Sequence, residues 1–156
     1  RNTYSDRCTS LRIICSREVM LTPYSPFSYP ITPHFFYGEL CNYQHERLFL
    51  NQDQCYIATE LCQYLEKLRD KFGPIQITSG HRPIRINAEV GGASQSEHLF
   101  NTGEGAVDIY PIAGDGYALE KYVDEDWPFS VGYGMNYRGF VHIGIRAGRP
   151  KVRWDY

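Results

Sequence analysis

A helix with both of its ends written in the sequence constrains this chain most. Asn51 suits an N-cap, and Gln54 three residues on completes a capping-box pattern. Ile57, Ala58, Leu61, Leu65, Leu68 and Phe72 recur at spacings of three and four, so one stripe faces a core. Gly73-Pro74 then stops the helix. The spacing predicts a helix over 51–72 that needs a partner layer, and the alternating Ile75-Gln76-Ile77-Thr78 supplies the first strand of one.

Further on, Ser79-Gly80-His81-Arg82-Pro83 reads as a turn, followed by a short helix near Ile84–Val90 and the breaker Gly91-Gly92. Val107–Tyr110 reads as the second strand and Tyr117–Val123 as a weak helix. Ser130–Tyr133 and Phe140–Arg146 carry strand signals around the turn Gly134-Met135-Asn136, and Val152-Arg153-Trp154 reads as the closing strand. This order predicts an α+β fold, a small antiparallel sheet flanked by helices. Pro23, Pro26 and Pro30 fall among Ser and Tyr, so residues 1–31 are expected to form an irregular N-terminal arm, with the domain over 32–156.

Composition narrows the function classes. A formal charge of −2 with 22% charged residues presents neither a nucleic-acid surface nor a polybasic membrane patch, so no nucleic acid and no membrane is expected as partner. No apolar run reaches the roughly 18 residues of a membrane span. Arg1 to Val19 is not read as a secretory signal, being broken by Arg7, Arg12, Arg17 and Glu18. Because residue 1 is not Met, the chain is expected to be processed or cut from something longer. Most of the 13 Tyr are expected in the core. The five cysteines include no CxxC pair. Cys55 and Cys62 fall on one helix face as small apolar residues, and a Cys8–Cys15 bridge stays open.

The chemistry lies in the second half. His98 closes Ser94-Gln95-Ser96-Glu97-His98, Asp108 ends Gly105-Ala106-Val107-Asp108, and His142 sits inside the strand Phe140-Val141-His142-Ile143-Gly144-Ile145-Arg146. Two imidazoles and one carboxylate would leave an open fourth position on zinc, as a catalytic rather than a structural site does. Spacing alone is a weak warrant for such a set in a chain with five His.

The motifs around these residues form an ordered series. It runs Ser79-Gly80-His81-Arg82-Pro83, Asn87-Ala88-Glu89-Val90-Gly91-Gly92-Ala93, Ser96-Glu97-His98-Leu99, Ala106-Val107-Asp108-Ile109 and Phe140-Val141-His142-Ile143. From about Thr32 to Trp154 the chain resembles the zinc D-Ala-D-Ala carboxypeptidases and their L-Ala-D-Glu endopeptidase relatives. The resemblance implies the hedgehog/DD-peptidase fold, with a zinc ion as cofactor held by His98, Asp108 and His142. It implies that Arg82 lies beside the zinc, where a fixed guanidinium stabilises an oxyanion by roughly 2–4 kcal/mol. Ser96 is expected to support the site by a hydrogen bond. His81 is read as a packing residue, and His34 and His45 as surface or packing residues.

Two departures from the family pattern stand out. Relatives usually have six residues between the His and the Asp, whereas nine separate His98 from Asp108, the extra ones within Phe100-Asn101-Thr102-Gly103-Glu104-Gly105. The acid that relatives carry three before or two after the last zinc His is replaced by Gly139 and Gly144. Glu104 and Glu97 are therefore the candidate general bases, and Asp124-Glu125-Asp126 is read as a solvated face.

The resulting expectation is a zinc metallopeptidase acting on peptidoglycan stem peptides, in the cell envelope or on a phage virion. Residues 1–31 would serve as an attachment arm to a larger assembly. The alternatives are a catalytically impaired cell-wall-binding or virion structural module, and a hedgehog-like signalling module with structural zinc.

Overall fold

In the computed structural model, which describes residues 19–156, the helix expected over 51–72 is the longest element. Ahead of it come β1 (Pro30–Thr32), β2 (Phe35–Phe36) and the short α1 (Tyr37–Leu40); the helix itself is α2 (Gln52–Phe72). Asn51 caps it, accepting from the Gln54 backbone N–H at 3.0 Å. The Gln54 side chain departs from the capping box. Its Oε1 accepts from Leu50 N, one residue earlier than the pattern demands, and its Nε2 donates to the Phe100 carbonyl. The helix start is thereby tied to the chain just beyond His98. At the other end Gly73 takes φ 78°, a conformation that favours glycine. Leu61, Leu65, Leu68, Cys55 and Cys62 are wholly buried along the inner stripe. Burial of each leucine stabilises by about 1.5–3 kcal/mol.

The partner layer follows in sequence: β3 (Ile75–Ser79), α3 (Ile84–Glu89), β4 (Gly105–Pro111), α4 (Gly116–Asp126), β5 (Ser130–Tyr133), β6 (Val141–Ile145) and β7 (Val152–Asp155). The sheet order is β3-β4-β6-β5-β7. All neighbours are antiparallel except β5 and β7, which run parallel. The expectation of a purely antiparallel sheet is thus corrected at one edge. Both flanks of β6 are taken by β4 and β5, so the strand that turns back after β6 joins the free edge of β5. Running opposite to β6, it is necessarily parallel to β5.

Alternation sorts the sheet into two faces. Val107 and Ile109 of β4, Val131 of β5, and Val141, Ile143 and Ile145 of β6 enter the core with the stripe of α2. Asp108 and His142 project from the opposite face, and both are nonetheless buried.

Three further expectations change. Leu21 is buried in the core, Phe27, Tyr29 and Ile31 pack against it, and Gln52 Nε2 donates to the Leu21 carbonyl. Residues 21–31 therefore belong to the domain body, because their apolar side chains find a face to cover. Residues 1–18, with the Cys8–Cys15 pair, lie outside the described residues. Among the described tyrosines only Tyr37 is fully buried, while Tyr29, Tyr64, Tyr122 and Tyr133 pack at the core's edge. Their hydroxyls favour that boundary: Tyr133 Oη donates to Asp124 Oδ1 at 2.7 Å. The acidic run is paired rather than merely solvated, with Asp124 accepting from Arg153 and Asp126 from Lys67.

Cys41, Cys55 and Cys62 are free and buried, and burial pushes Cys41 up to about 12 and Cys55 up to about 11, so both stay thiols. Among the described residues no helix is long and apolar enough to cross a membrane.

Candidate metal centre

Strand register brings two of the three expected ligands together. Asp108 on β4 lies directly opposite His142 on β6, a cross-strand pair on one face. His98 arrives on a separate device, the 3₁₀ turn Glu97–Leu99, whose start Ser96 caps by accepting from His98 N at 3.3 Å. Ser96 therefore acts on the backbone of the ligand-bearing turn. The turn after β3 grips His98 twice: Arg82 N donates to the His98 carbonyl at 2.7 Å, and the His98 ring bonds the Gly80 carbonyl through Nδ1 at 2.8 Å.

The long gap to Asp108 folds back on itself. Glu104 N donates to the Asn101 carbonyl, Gly103 N donates to Asp53 at the head of α2, and Phe100 is buried. The extra residues bulge outward, and β4 still starts in register at Gly105. His98 Nε2 consequently sits 3.2 Å from Asp108 Oδ1, and His142 Nδ1 sits 2.8 Å from the same oxygen. The ligand atoms of all three residues lie within 4.8 Å of one another.

Those distances fit one tetrahedral ion, whose ligands at about 2.0–2.2 Å stand roughly 3.4 Å apart. The ring partners fit as well. A backbone carbonyl can only accept, so His98 Nδ1 carries the proton toward Gly80, and Nε2 is the nitrogen whose lone pair is available to a cation between it and Asp108. On His142 the outer nitrogen, Nε2, meets Glu97 Oε2 at 2.8 Å, which leaves Nδ1 facing the cluster. A buried donor set of two imidazoles and a carboxylate, with each imidazole oriented by a second hydrogen bond, is chemistry suited to zinc.

Glu97 is 4% exposed and engaged on both oxygens: Oε1 accepts from Ser130 Oγ and Arg146 Nε, each at 2.6 Å. Its carboxylate thus backs His142 on the side away from the other two ligands. Glu104 sits elsewhere, with Asn101, Thr102 and Arg146 around a neighbouring depression, accepting from Ala147 N at 3.3 Å. The structure brings neither candidate base to the open side of the cluster as a free carboxylate. Arg82 does reach it. It lines a pocket of about 570 Å³ together with Asp108, His142, Arg138, Trp154 and Tyr156, and its Nε is buried without a hydrogen-bond partner among the described residues.

Sequence reasoning missed Tyr156, whose hydroxyl stands 3.3 Å from His142 Nδ1. The available signal was the aromatic pair Trp154 and Tyr156 two residues apart, which a strand places on one face. His81 is a packing residue, buried between Phe49 and Phe100 and bonded to the Arg47 carbonyl; burial lowers its pKa to about 4. His34 pairs with Glu66 and His45 stacks on Phe27, both at the surface.

The sequence of this chain matches the model of a known family, described as Peptidase M15, over residues 33–144. The chain belongs to the peptidase M15 family. The match spans well over half the chain and includes His98 and Asp108 through His142. Peptidase M15 proteins are zinc-dependent metallopeptidases, the family of zinc D-Ala-D-Ala carboxypeptidases and endopeptidases that the motifs resemble. No curated protein matches the chain.

The charge state of this M15 site gives a pH signature. Burial opposes the charge on His142, but the hydrogen bonds it donates to Asp108 and Glu97 outweigh it and raise the imidazole to about 9. Burial likewise opposes charge on Asp108 and Glu97, yet the facing histidines hold both carboxyls below their ordinary values. The raised His142 stabilises the metal-free fold fully below its ordinary 6.5, and that contribution is lost as pH rises toward 9. The lowered carboxyls act oppositely, stabilising above their ordinary values of 3.8 and 4.5 and losing that contribution on acidification. Urea denaturation of metal-free protein should therefore show stability falling between pH 7 and 9, with zinc affinity rising over the same interval as the His142 proton becomes easier to displace. Metal-free stability that climbs across that window would contradict the assignment.

Proposed function

We propose that the protein is a zinc peptidase cleaving the peptide stems of peptidoglycan, as a D-Ala-D-Ala carboxypeptidase or a related endopeptidase, in the hedgehog/DD-peptidase fold. The observation that carries this reading is the convergence of His98, Asp108 and His142 beside an arginine-rimmed pocket that Asp108 and His142 line. Bound there, zinc supplies Lewis acidity, polarising a scissile carbonyl and bringing the pKa of water down to about 7.

The chain's own side chains do the rest. Arg82 offers a guanidinium whose Nε has no partner among the described residues, suited to an oxygen that gains negative charge. Tyr156 keeps its proton, since burial and then the Asp108 charge push its pKa upward, so its hydroxyl donates from the open side. Arg138 and Arg146 add positive charge to the same pocket, and stem peptides carry free carboxylates that such a rim would hold. A cell-wall substrate implies an extracytoplasmic or virion-associated site of action, with the residues ahead of Leu21 offering a point of attachment to a larger assembly.

Incubation of purified peptidoglycan with the protein, followed by mass spectrometry of the released material, tests the proposal. Loss of a terminal D-Ala identifies the carboxypeptidase, and cleavage within the stem the endopeptidase. A chelator should abolish release and added zinc restore it; cleavage that survives complete demetallation would sink the proposal. A second reading, a wall-binding module without turnover, draws on one observation. The pocket's carboxylates, Asp108 and Glu97, are both engaged with histidine. On that reading zinc-loaded protein co-sediments with cell walls and releases no peptide.

A further inference from the structure

Glu97 and Gly144 are far apart in sequence and belong to no shared motif, yet they meet behind His142. The Glu97 carboxylate fills the space where position 144 would carry a side chain. A Cβ on Gly144 would overlap Glu97 Oε2, lie 2.8 Å from Glu97 Cδ and stand 3.0 Å from His142 Nε2. Gly144 is two residues beyond His142 on β6, so alternation turns it to the same face of the sheet. The strand itself leaves a notch, and the carboxylate that occupies it comes from the 3₁₀ turn carrying His98. Burial of an ionised carboxyl is costly unless its oxygens are satisfied. Here Oε2 faces His142, while Ser130 and Arg146 both donate to Oε1.

We infer that Glu97 is the positioning carboxylate of the metal centre, fixing the His142 ring with Nδ1 toward the ion, and that the glycine at 144 exists to admit it. The inference rests on the metal-centre reading above. Its logic is geometric. An imidazole whose Nε2–H is held by a carboxylate cannot turn Nε2 to the metal, and the orientation is paid for before the ion arrives. One turn, Glu97–Leu99, then delivers both a ligand, His98, and the partner of another ligand, so the centre is assembled from two directions at once.

Zinc affinity measured by competition with a chromophoric chelator tests this, with circular dichroism as the check on folding. Glu97→Ala and Gly144→Ala should each weaken zinc binding by roughly 10–100-fold, the range for loss of a partner that orients a ligand. Neither change replaces a proposed ligand. The double variant should bind no more weakly than the worse single one, because both changes remove the same hydrogen bond. Glu97→Gln, whose amide oxygen can still accept from Nε2, should retain more affinity than Glu97→Ala; if Glu97→Ala fails to fold, Glu97→Gln and Gly144→Ala carry the comparison.

Nitrogen-15 NMR of His142 in the zinc-loaded wild type should show Nε2 protonated and Nδ1 metal-bound, and a mixture in Gly144→Ala. Wild-type affinity in Glu97→Ala and Gly144→Ala, or losses that simply multiply in the double variant, would overturn the inference while leaving zinc binding intact. A wild type that takes up no zinc refutes the metal-centre reading and the inference together.

Discussion

Arg82→Met is expected to leave zinc uptake intact and to lower kcat on a stem peptide by roughly 10²–10³-fold, about 2.7–4 kcal/mol of barrier. The reason lies in what surrounds the side chain. Its backbone is pinned by the bond from Arg82 N to the His98 carbonyl, so the residue is fixed relative to a ligand. Its Nε is buried with no partner among the described residues, and burial lowers its pKa while Asp108 opposes that shift. A guanidinium whose Nε is left unsatisfied beside the His98–Asp108–His142 cluster has little structural work to lose. Its benefit appears when an anionic oxygen forms next to it. Arg82→Lys should recover only part of the loss, because an ammonium lacks the planar fork. Steady-state kinetics decides the matter: a fall in kcat supports the role, whereas a rise in KM alone would mean that Arg82 merely holds ground-state substrate.

The second large effect concerns the three proposed zinc ligands. Asp108→Asn, His98→Ala and His142→Ala should each weaken zinc binding beyond the roughly 10–100-fold expected for a supporting residue. Activity should fall to background in all three. Asp108 is the most exposed to loss, since its carboxylate lies within 3.2 Å of both imidazoles. The asparagine keeps the shape and removes the charge that holds His142 protonated in the metal-free protein. Isothermal titration with zinc separates the outcomes: near wild-type affinity in Asp108→Asn would remove Asp108 from the ligand set.

What the sequence disclosed follows the range of the interactions involved. The helix α2 was legible to its ends because its cap, its stripe and its stop are local. The individual strands were legible because alternation is local too. Their arrangement was not, since the same pattern serves either direction, and β7 runs parallel to β5 only because β6 already has two neighbours. The role of residues 21–31 was hidden for a similar reason: prolines announced irregular backbone, but only the folded core shows that Leu21 has somewhere to go.

At the site, the motifs named His98, Asp108 and His142, and the pairing of Asp108 with His142 then rested on the register of β4 and β6. Glu97 was noticed for its charge and its position beside His98. Its direction depended on the 3₁₀ turn, which aims it at His142 Nε2 instead of the open side. Gly144 looked like a missing acid, and in three dimensions it is the space that a carboxylate from elsewhere occupies.

Anomalous diffraction at the zinc edge, from crystals grown with one equivalent of zinc, tests the central claim most directly. The account predicts one peak within about 2.0–2.2 Å of His98 Nε2, an Asp108 oxygen and His142 Nδ1, with Glu97 hydrogen-bonded to His142 Nε2. A peak bonded to Glu97 or to His142 Nε2, or zinc bound away from these three residues, would contradict it.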